Sequence, residues 1–306
     1  MPAYNAEKYI AEAIDSILGQ TFGDFEFIIL NDCSKDRTEE IILSYDDPRI
    51  VYVKNEENMG VARTLNRGLD MAKGEYIARM DADDISLPER FAKQVAYLDA
   101  NRQYAAVGSN AIIFYEDGTQ HYTDVPTDLQ NVKLALPISN PFIHPVMMLR
   151  KSMLVNIQYD STFEGREDYR FWMCLSQKHK MSNLPDRLLR YRHHLSQVTQ
   201  KQDPCKEEKH FYLKKCYYNE LLADIQEDMV NALCSATYHG YVLSKEQAFT
   251  LKTALCLLAN HLNAGIFPAS YESLAISCAK KTGMTKAEIW HFTKKMSLKA
   301  RLRSIL

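Results

Sequence analysis

Three clustered acidic residues dominate the chemistry this chain could do. Asp81-Ala82-Asp83-Asp84 follows an apolar run directly, so its carboxylates stand at the carboxyl end of a strand, where open α/β sheets bind ligands. Carboxylates this dense repel one another unless a cation lies among them. Hard divalent ions such as Mg²⁺ or Mn²⁺ take carboxylate oxygens together with substrate phosphates. The structural alternative is a solvated acidic turn ahead of the next helix. A second polar loop, Asn31-Asp32-Cys33-Ser34-Lys35-Asp36-Arg37-Thr38, also follows an apolar run. Asp32 can accept hydrogen bonds from a base or ribose, and Ser34 or Asp36 can cap the following helix.

Three further clusters carry reactive groups. Asn58-Met59-Gly60-Val61-Ala62-Arg63 opens a helix, and Arg63 is a candidate phosphate or base contact. Glu167-Asp168 heads another helix after Gly165, where a carboxylate can serve as general base or simply favour the helix dipole. Tyr191-Arg192-His193-His194 brings imidazoles that titrate near neutrality.

The elements needed to position these groups alternate in type over the first 110 residues. Helical spacing covers Ala6 to Leu18, with Asn5 as N-cap, then Thr38 to Tyr45, Val61 to Ala72, and Pro88 to Ala100. Strand-length apolar runs cover Phe25 to Leu30, Ile50 to Val53, Glu75 to Met80 and Ala105 to Phe114. Gly74 is expected as a left-handed C-cap. This order implies a mainly parallel sheet covered by helices on both faces. A hairpin turn follows at Glu116-Asp117-Gly118-Thr119, then a proline-rich stretch, a helix from Arg166 to Gln177 and a short strand from Leu188 to Arg192. Gln200 to Glu208 reads as a linker, and helices follow to Leu306, with turn signals near Gly240, Pro268 and Gly283.

Composition limits the function classes. The chain has 306 residues, 46% apolar and 25% charged, an ordinary globular balance. A net charge of -2 argues against a protein built to grip nucleic acid. Seven scattered cysteines without a CxxC pair exclude a disulfide framework or zinc ribbon and imply a reducing, cytoplasmic setting. Neither a secretory signal nor an apolar run long enough to span a membrane is present.

Taken in order, PAYN, NDCSKDRT, NMGVAR, DADD, NPFIHP, GREDYRFW and YRHHLSQVT resemble the family-2 glycosyltransferases, nucleotide-sugar enzymes of the GT-A fold. The resemblance covers roughly residues 1 to 200, and the stretch from Gly74 to Pro88 is especially close to bacterial polysaccharide-building members. It implies a GT-A domain over 1–205 and an α-helical region over 206–306. It implies an inverting transfer from a nucleoside-diphosphate sugar, UDP-sugars foremost, to a hydroxyl of a saccharide or lipid-linked acceptor. Pro2, Ala3 and Tyr4 then line the nucleotide pocket and Asp32 meets the nucleobase. Asp83 holds Mn²⁺ or Mg²⁺, with Asp81 nearer the ribose and sugar. Asp168 is the catalytic base beside Glu167, His194 lies near the diphosphate, and His144 faces the acceptor side. Arg63 is carried as a substrate contact, Leu65 standing where members often have Arg. Members carry an apolar strand immediately before PxYN, so the natural protein is expected to include about five to ten further residues upstream of Met1. Two alternatives stand beside this reading: a non-catalytic sugar-nucleotide-binding or assembly protein of the same fold, and a nucleotidyltransferase. The latter lacks its early Gly-rich loop, with only Gly19 and Gly23 in the first 30 residues. At the other end, Leu298, Leu302 and Ile305 share a helical face beside Lys295, Lys299 and Arg303, a pattern suited to peripheral contact with the inner face of an anionic membrane.

Overall fold

A computed structural model of the chain describes residues 1–194, 197, 205–222, 224–238, 242–264 and 268–293. The basic end at 294–306, the turn signal at Gly240 and residues 200–204 of the expected linker lie outside them. The chain divides into two compact units, Met1–Val132 with Pro141–Gln202, and Lys133–Asn140 with Asp203–Leu306.

The first unit begins with β1 (Pro2–Ala3), α1 (Ile10–Leu18), β2 (Phe27–Asn31), α2 (Thr38–Leu43), β3 (Ile50–Lys54) and α3 (Val61–Met71). As expected, β1, β2 and β3 pair in parallel, Pro2 opposite Leu30 and Phe27 opposite Ile50. α1 starts later than its apolar spacing implies. Asn5 has φ 48° and its side chain accepts from Lys35 N rather than capping the helix. The amides of Ala6 and Glu7 are drawn to Thr38 Oγ1 and Asp36 Oδ2. The chain leaves α3 through Ala72 in an extended conformation (ψ 131°), and Gly74 is not left-handed. The expected glycine cap is therefore replaced by a direct turn toward the next strand, with Glu26 accepting from Lys73 N at 2.6 Å.

The second sheet comprises β4 (Tyr76–Ala78), β5 (Ile85–Ser86), β6 (Tyr104–Tyr115), β7 (Gln120–Tyr122), β8 (Met148–Arg150) and β9 (Lys180–His193), in the order β4-β8-β6-β9-β5 with β7 on β6. α4 (Arg90–Ala100) precedes β6, α5 (Leu129–Ala135) follows β7, and α6 (Glu167–Ser176) precedes β9. Only β6 and β9 pair in parallel here; the other pairings are antiparallel. The β6–β7 hairpin has the expected turn, with Gly118 at φ +85° and Asp117 Oδ1 accepting from Thr119 N. The core of this unit packs Ile10, Ile14 and Ile17 of α1 with Ile29, Phe91, Leu98, Val107 and Leu189. Within the first unit a cavity of about 740 Å³ runs along both β1 and β4, walled by Leu30, Leu65, Tyr76, Phe91 and Met148. Among the described residues β1 pairs only with β2, and β4 only with β8, so each leaves one edge free.

The second unit holds α7 (Lys206–Leu221), α8 (Glu227–Ala236), α9 (Lys245–His261), α10 (Ala269–Lys281) and α11 (Lys286–Phe292). Capping boxes at Ser244/Gln247 and Thr285/Glu288 start α9 and α11, each satisfying two otherwise orphan amides. Lys214, fully buried, donates to the carbonyls of Pro137 and Ile138. No helix among the described residues is long and apolar enough to cross a membrane.

Candidate active site

The acidic motif leaves β4 and crosses toward β9, which brings its charges together. Carboxylate oxygens of Asp81, Asp83 and Asp84 lie within 4.8 Å of one another. Burial, then the charge of Asp81, holds Asp83 above the usual carboxylate range, and His194 works against that shift. Burial, then Asp81 and Asp83, raises Asp84 much further. One oxygen of Asp84 accepts from Arg192 N at 2.8 Å; the other, Oδ2, is buried without a hydrogen-bond partner. Orphaned and mutually repelling oxygens of this kind fit a hard divalent cation. Arg79, only 7% exposed, ion-pairs with Asp81 from below.

The end of β9 and the residue that follows it supply the opposing contacts. His194 Nε2 lies 2.9 Å from Asp83 Oδ2, and the Tyr9 ring stands 4.8 Å from the His194 ring. Arg192 donates through Nε to the Asp83 carbonyl at 2.8 Å and pairs with Glu12 on α1. The acidic turn is thus pinned to a strand rather than left as a solvated loop.

Asp81 and Asp83 share a pocket of about 390 Å³ with His144, Glu167, Asp168 and Tyr191. Gly165 (φ +84°) turns the chain into α6, and Glu167 Oε2 accepts from its amide at 2.6 Å. Burial, then the charge of Asp168, pushes Glu167 up to about 7. Asp168 accepts from Tyr169 N at 2.7 Å through Oδ1. His144 is buried, shares a 2.9 Å hydrogen bond with Tyr159 Oη and packs edge-on to Trp172. Burial holds its pKa well below the ordinary histidine range, so the ring is neutral at pH 7.

The remaining expected residues stand around the first sheet and do not line this pocket. Ala3 is buried in β1 and accepts from Asp32 N, while Tyr4 is exposed. Asp32 is 5% exposed, and its carboxylate accepts from Asn55 Nδ2 (2.7 Å), Met59 N (2.8 Å) and Gly60 N (3.0 Å). It therefore fixes the loop ahead of α3. Arg63 lies exposed on α3, whereas Arg67 is drawn back onto Asn55 and the Lys54 carbonyl.

Sequence reasoning gave no role to Arg79, Glu164 or Arg192. Arg79 stands two residues before Asp81, the spacing that puts side chains on one face of a strand, and that signal was available. Glu164 accepts from Val61 N at 2.9 Å, and its carboxylate lies against Gly60 (φ +82°), leaving no room for a side chain there. That contact spans 103 residues and has no local signature.

Comparison with known proteins gives the family and the fold. The model of glycosyl transferase family 2 matches residues 1–157. An uncharacterized glycosyltransferase of Methanocaldococcus jannaschii is 36% identical over 199 residues, covering 63% of this chain and 69% of the relative. A UDP-Glc:alpha-D-GlcNAc-diphosphoundecaprenol beta-1,3-glucosyltransferase of Escherichia coli is 26% identical over 264 residues, covering 82% and 95%. The matches span 69%, 65% and 64% of the length of the first curated relatives. Among solved structures, S. aureus TarS 1–349 in complex with UDP-GlcNAc superposes with a TM-score of 0.62 at 20% identity, over 99% of this chain and 87% of that one. At that identity the likeness establishes the fold, which is GT-A. With its family model matched from the first residue through the acidic motif, the chain belongs to glycosyl transferase family 2.

Proposed function

We propose that this glycosyltransferase moves a sugar, with inversion, from a nucleoside-diphosphate sugar to a hydroxyl of a saccharide or lipid-linked acceptor in cell-surface polysaccharide synthesis. UDP-sugars are the donor class put first. The observation that carries the reading is the single pocket shared by Asp81, Asp83, Glu167 and Asp168. One part of it suits a metal-bound diphosphate, and the other suits proton removal from an incoming hydroxyl. An assembly protein has no use for the second part, so its presence favours the enzyme.

Asp83 would hold Mn²⁺ or Mg²⁺, with Asp81 and Asp84 beside it. Bound there, the ion supplies positive charge where the leaving nucleoside diphosphate becomes more negative. His194 fixes the Asp83 carboxylate, and Arg79 holds Asp81, which is assigned to the sugar and ribose. An acceptor hydroxyl is a poor nucleophile until its proton is taken. Asp168 is assigned that proton. Glu167, pushed up to about 7 by burial and then by the charge of Asp168, holds its proton more readily than an ordinary carboxyl and can donate a hydrogen bond to a sugar hydroxyl. Neutral His144 lends the acceptor side a polar wall without charge. Pro2, Ala3, Tyr4 and Arg63 are assigned to the nucleotide side, as is Asp32, which acts at least through the loop it holds.

The deciding experiment is a thermal-shift panel of UDP-, GDP-, dTDP- and CMP-sugars with Mn²⁺, since a ligand specific to the folded state stabilises it. One nucleotide class should raise Tm only with metal present; no shift with any donor would refute the reading. The diphosphoundecaprenol acceptor in the E. coli relative's name supports a lipid-linked acceptor and a peripheral position at the cytoplasmic membrane face. Binding to anionic vesicles that weakens with salt and vanishes on deleting residues 294–306 is the corresponding expectation.

A further inference from the structure

Alternation along paired strands decides which side chains share a surface. Ile113 of β6 lies opposite Tyr191 of β9 on one side and His121 of β7 on the other. Tyr115, two residues further along β6, lies opposite His193. Ala111, Ile113, Thr123 and Tyr191 line the acidic pocket. By the same alternation Tyr115, His121 and His193 continue that face outward. Their rings meet: the centroids of Tyr115 and His193 are 4.6 Å apart at an interplanar angle of 39°. Tyr115 and His121 are 5.6 Å apart and nearly perpendicular. His121 is exposed, and Tyr115 and His193 are half-buried.

We propose that these three rings form an acceptor subsite, a ledge that holds a neutral sugar unit next to the hydroxyl being glycosylated. The inference rests on reading the pocket as a glycosyl-transfer site. A pyranose presents patches of C–H groups bordered by hydroxyls. The ledge offers the matching surface, ring faces for the C–H patches and a phenol and two imidazoles that both donate and accept. The ledge belongs to the second sheet, whereas the loops assigned to the nucleotide belong to the first. Its continuity with the pocket through Ile113 and Tyr191 places a bound sugar on the way to Asp168, which shares that pocket.

The test uses the full chain with UDP and Mn²⁺, and methyl β-D-glucopyranoside and methyl N-acetyl-α-D-glucosaminide as probes. Saturation-transfer NMR should show magnetisation passing from the protein to C–H protons of at least one glycoside. Tyr115→Ala and His121→Ala should each weaken that binding by about two- to tenfold, the usual worth of a ring contact, while Tyr115→Phe keeps most of it. UDP affinity should be unchanged in all three. His121 is exposed, so its variant separates recognition from folding. Absence of transfer to either glycoside, or parent-like binding by both alanine variants, overturns the ledge. Failure of the parent to bind UDP overturns the donor reading instead, and the two results are recorded separately.

Discussion

Replacing Asp32 by Asn tests whether this residue does more than make the nucleobase contact proposed for it. The carboxylate accepts three hydrogen bonds inside the first unit, two at Oδ1 from Asn55 Nδ2 and Met59 N and one at Oδ2 from Gly60 N. An amide of the same shape keeps one acceptor oxygen. If that oxygen stays with Asn55 and Met59, the new NH₂ faces the Gly60 amide, donor against donor; Gly60 N keeps Asn58 Oδ1 at 3.2 Å, and the new NH₂, at a position 5% exposed, is the donor left over. A buried donor left without a partner costs about 1–3 kcal/mol. For a unit of this size each kcal/mol lowers Tm by about 2–4 °C, so Asp32→Asn should melt about 2–12 °C below the parent. The loss needs no ligand, so it should appear in the apo protein by differential scanning calorimetry. UDP binding should weaken as well, because the loop ahead of α3 is released. An apo Tm within 1 °C of the parent, together with weakened UDP binding, would refute the argument and leave Asp32 as a base contact alone.

The remaining expectations concern the pocket. Asp168→Asn should retain UDP and Mn²⁺ binding by calorimetry while transfer falls by about 10² to 10⁴, the usual contribution of a general base; near-parental turnover would move the base elsewhere. Asp83→Ala should remove the metal-dependent part of UDP binding, and chelation should do the same to the parent; full activity in excess EDTA would exclude the metal role. Glu167 is raised from 4.5 to about 7 in the folded protein, so between those values the folded state holds a proton that the unfolded chain has lost. Stability should therefore fall as pH rises through that window, and Glu167→Gln should flatten the Tm-versus-pH curve there. A slope unchanged in the Gln variant would assign the effect to other groups.

The parts of the fold that read plainly in the sequence are those in which local pattern and tertiary role agree. The run Phe27-Ile28-Ile29-Leu30 is a buried strand in any setting, and β2 lies there. β9 was legible only from Leu188 to Arg192, yet it begins at Lys180. Pro185 hid the rest, since proline cannot donate to a ladder. The structure accommodates it at a register break, where Ser109 lies opposite Leu184 and Asn110 opposite Arg187. Asn110 Nδ2 donates to the Pro185 carbonyl across that bulge. A mixed sheet was expected, but that most pairings of the second sheet are antiparallel was not legible, for a related reason. Strand direction depends on β8 returning between β4 and β6, and the proline-rich stretch before it carries no periodicity. In the pocket, the acidic motif and Glu167-Asp168 were visible as residue types. Their meeting was not, because the contacts that assemble them, such as Arg192 to Asp83 and Asp84, join positions 108 or 109 apart.

The cavity along β1 and β4 has a consequence for handling the protein. Among the described residues, two strand edges without a neighbouring strand border one slot whose walls are largely apolar. Edges of that kind recruit further strands from whatever polypeptide is at hand. Such a slot acts as an adhesive: the protein should self-associate as concentration rises and light up apolar dyes while still folded, and an added strand-forming peptide should reduce both effects.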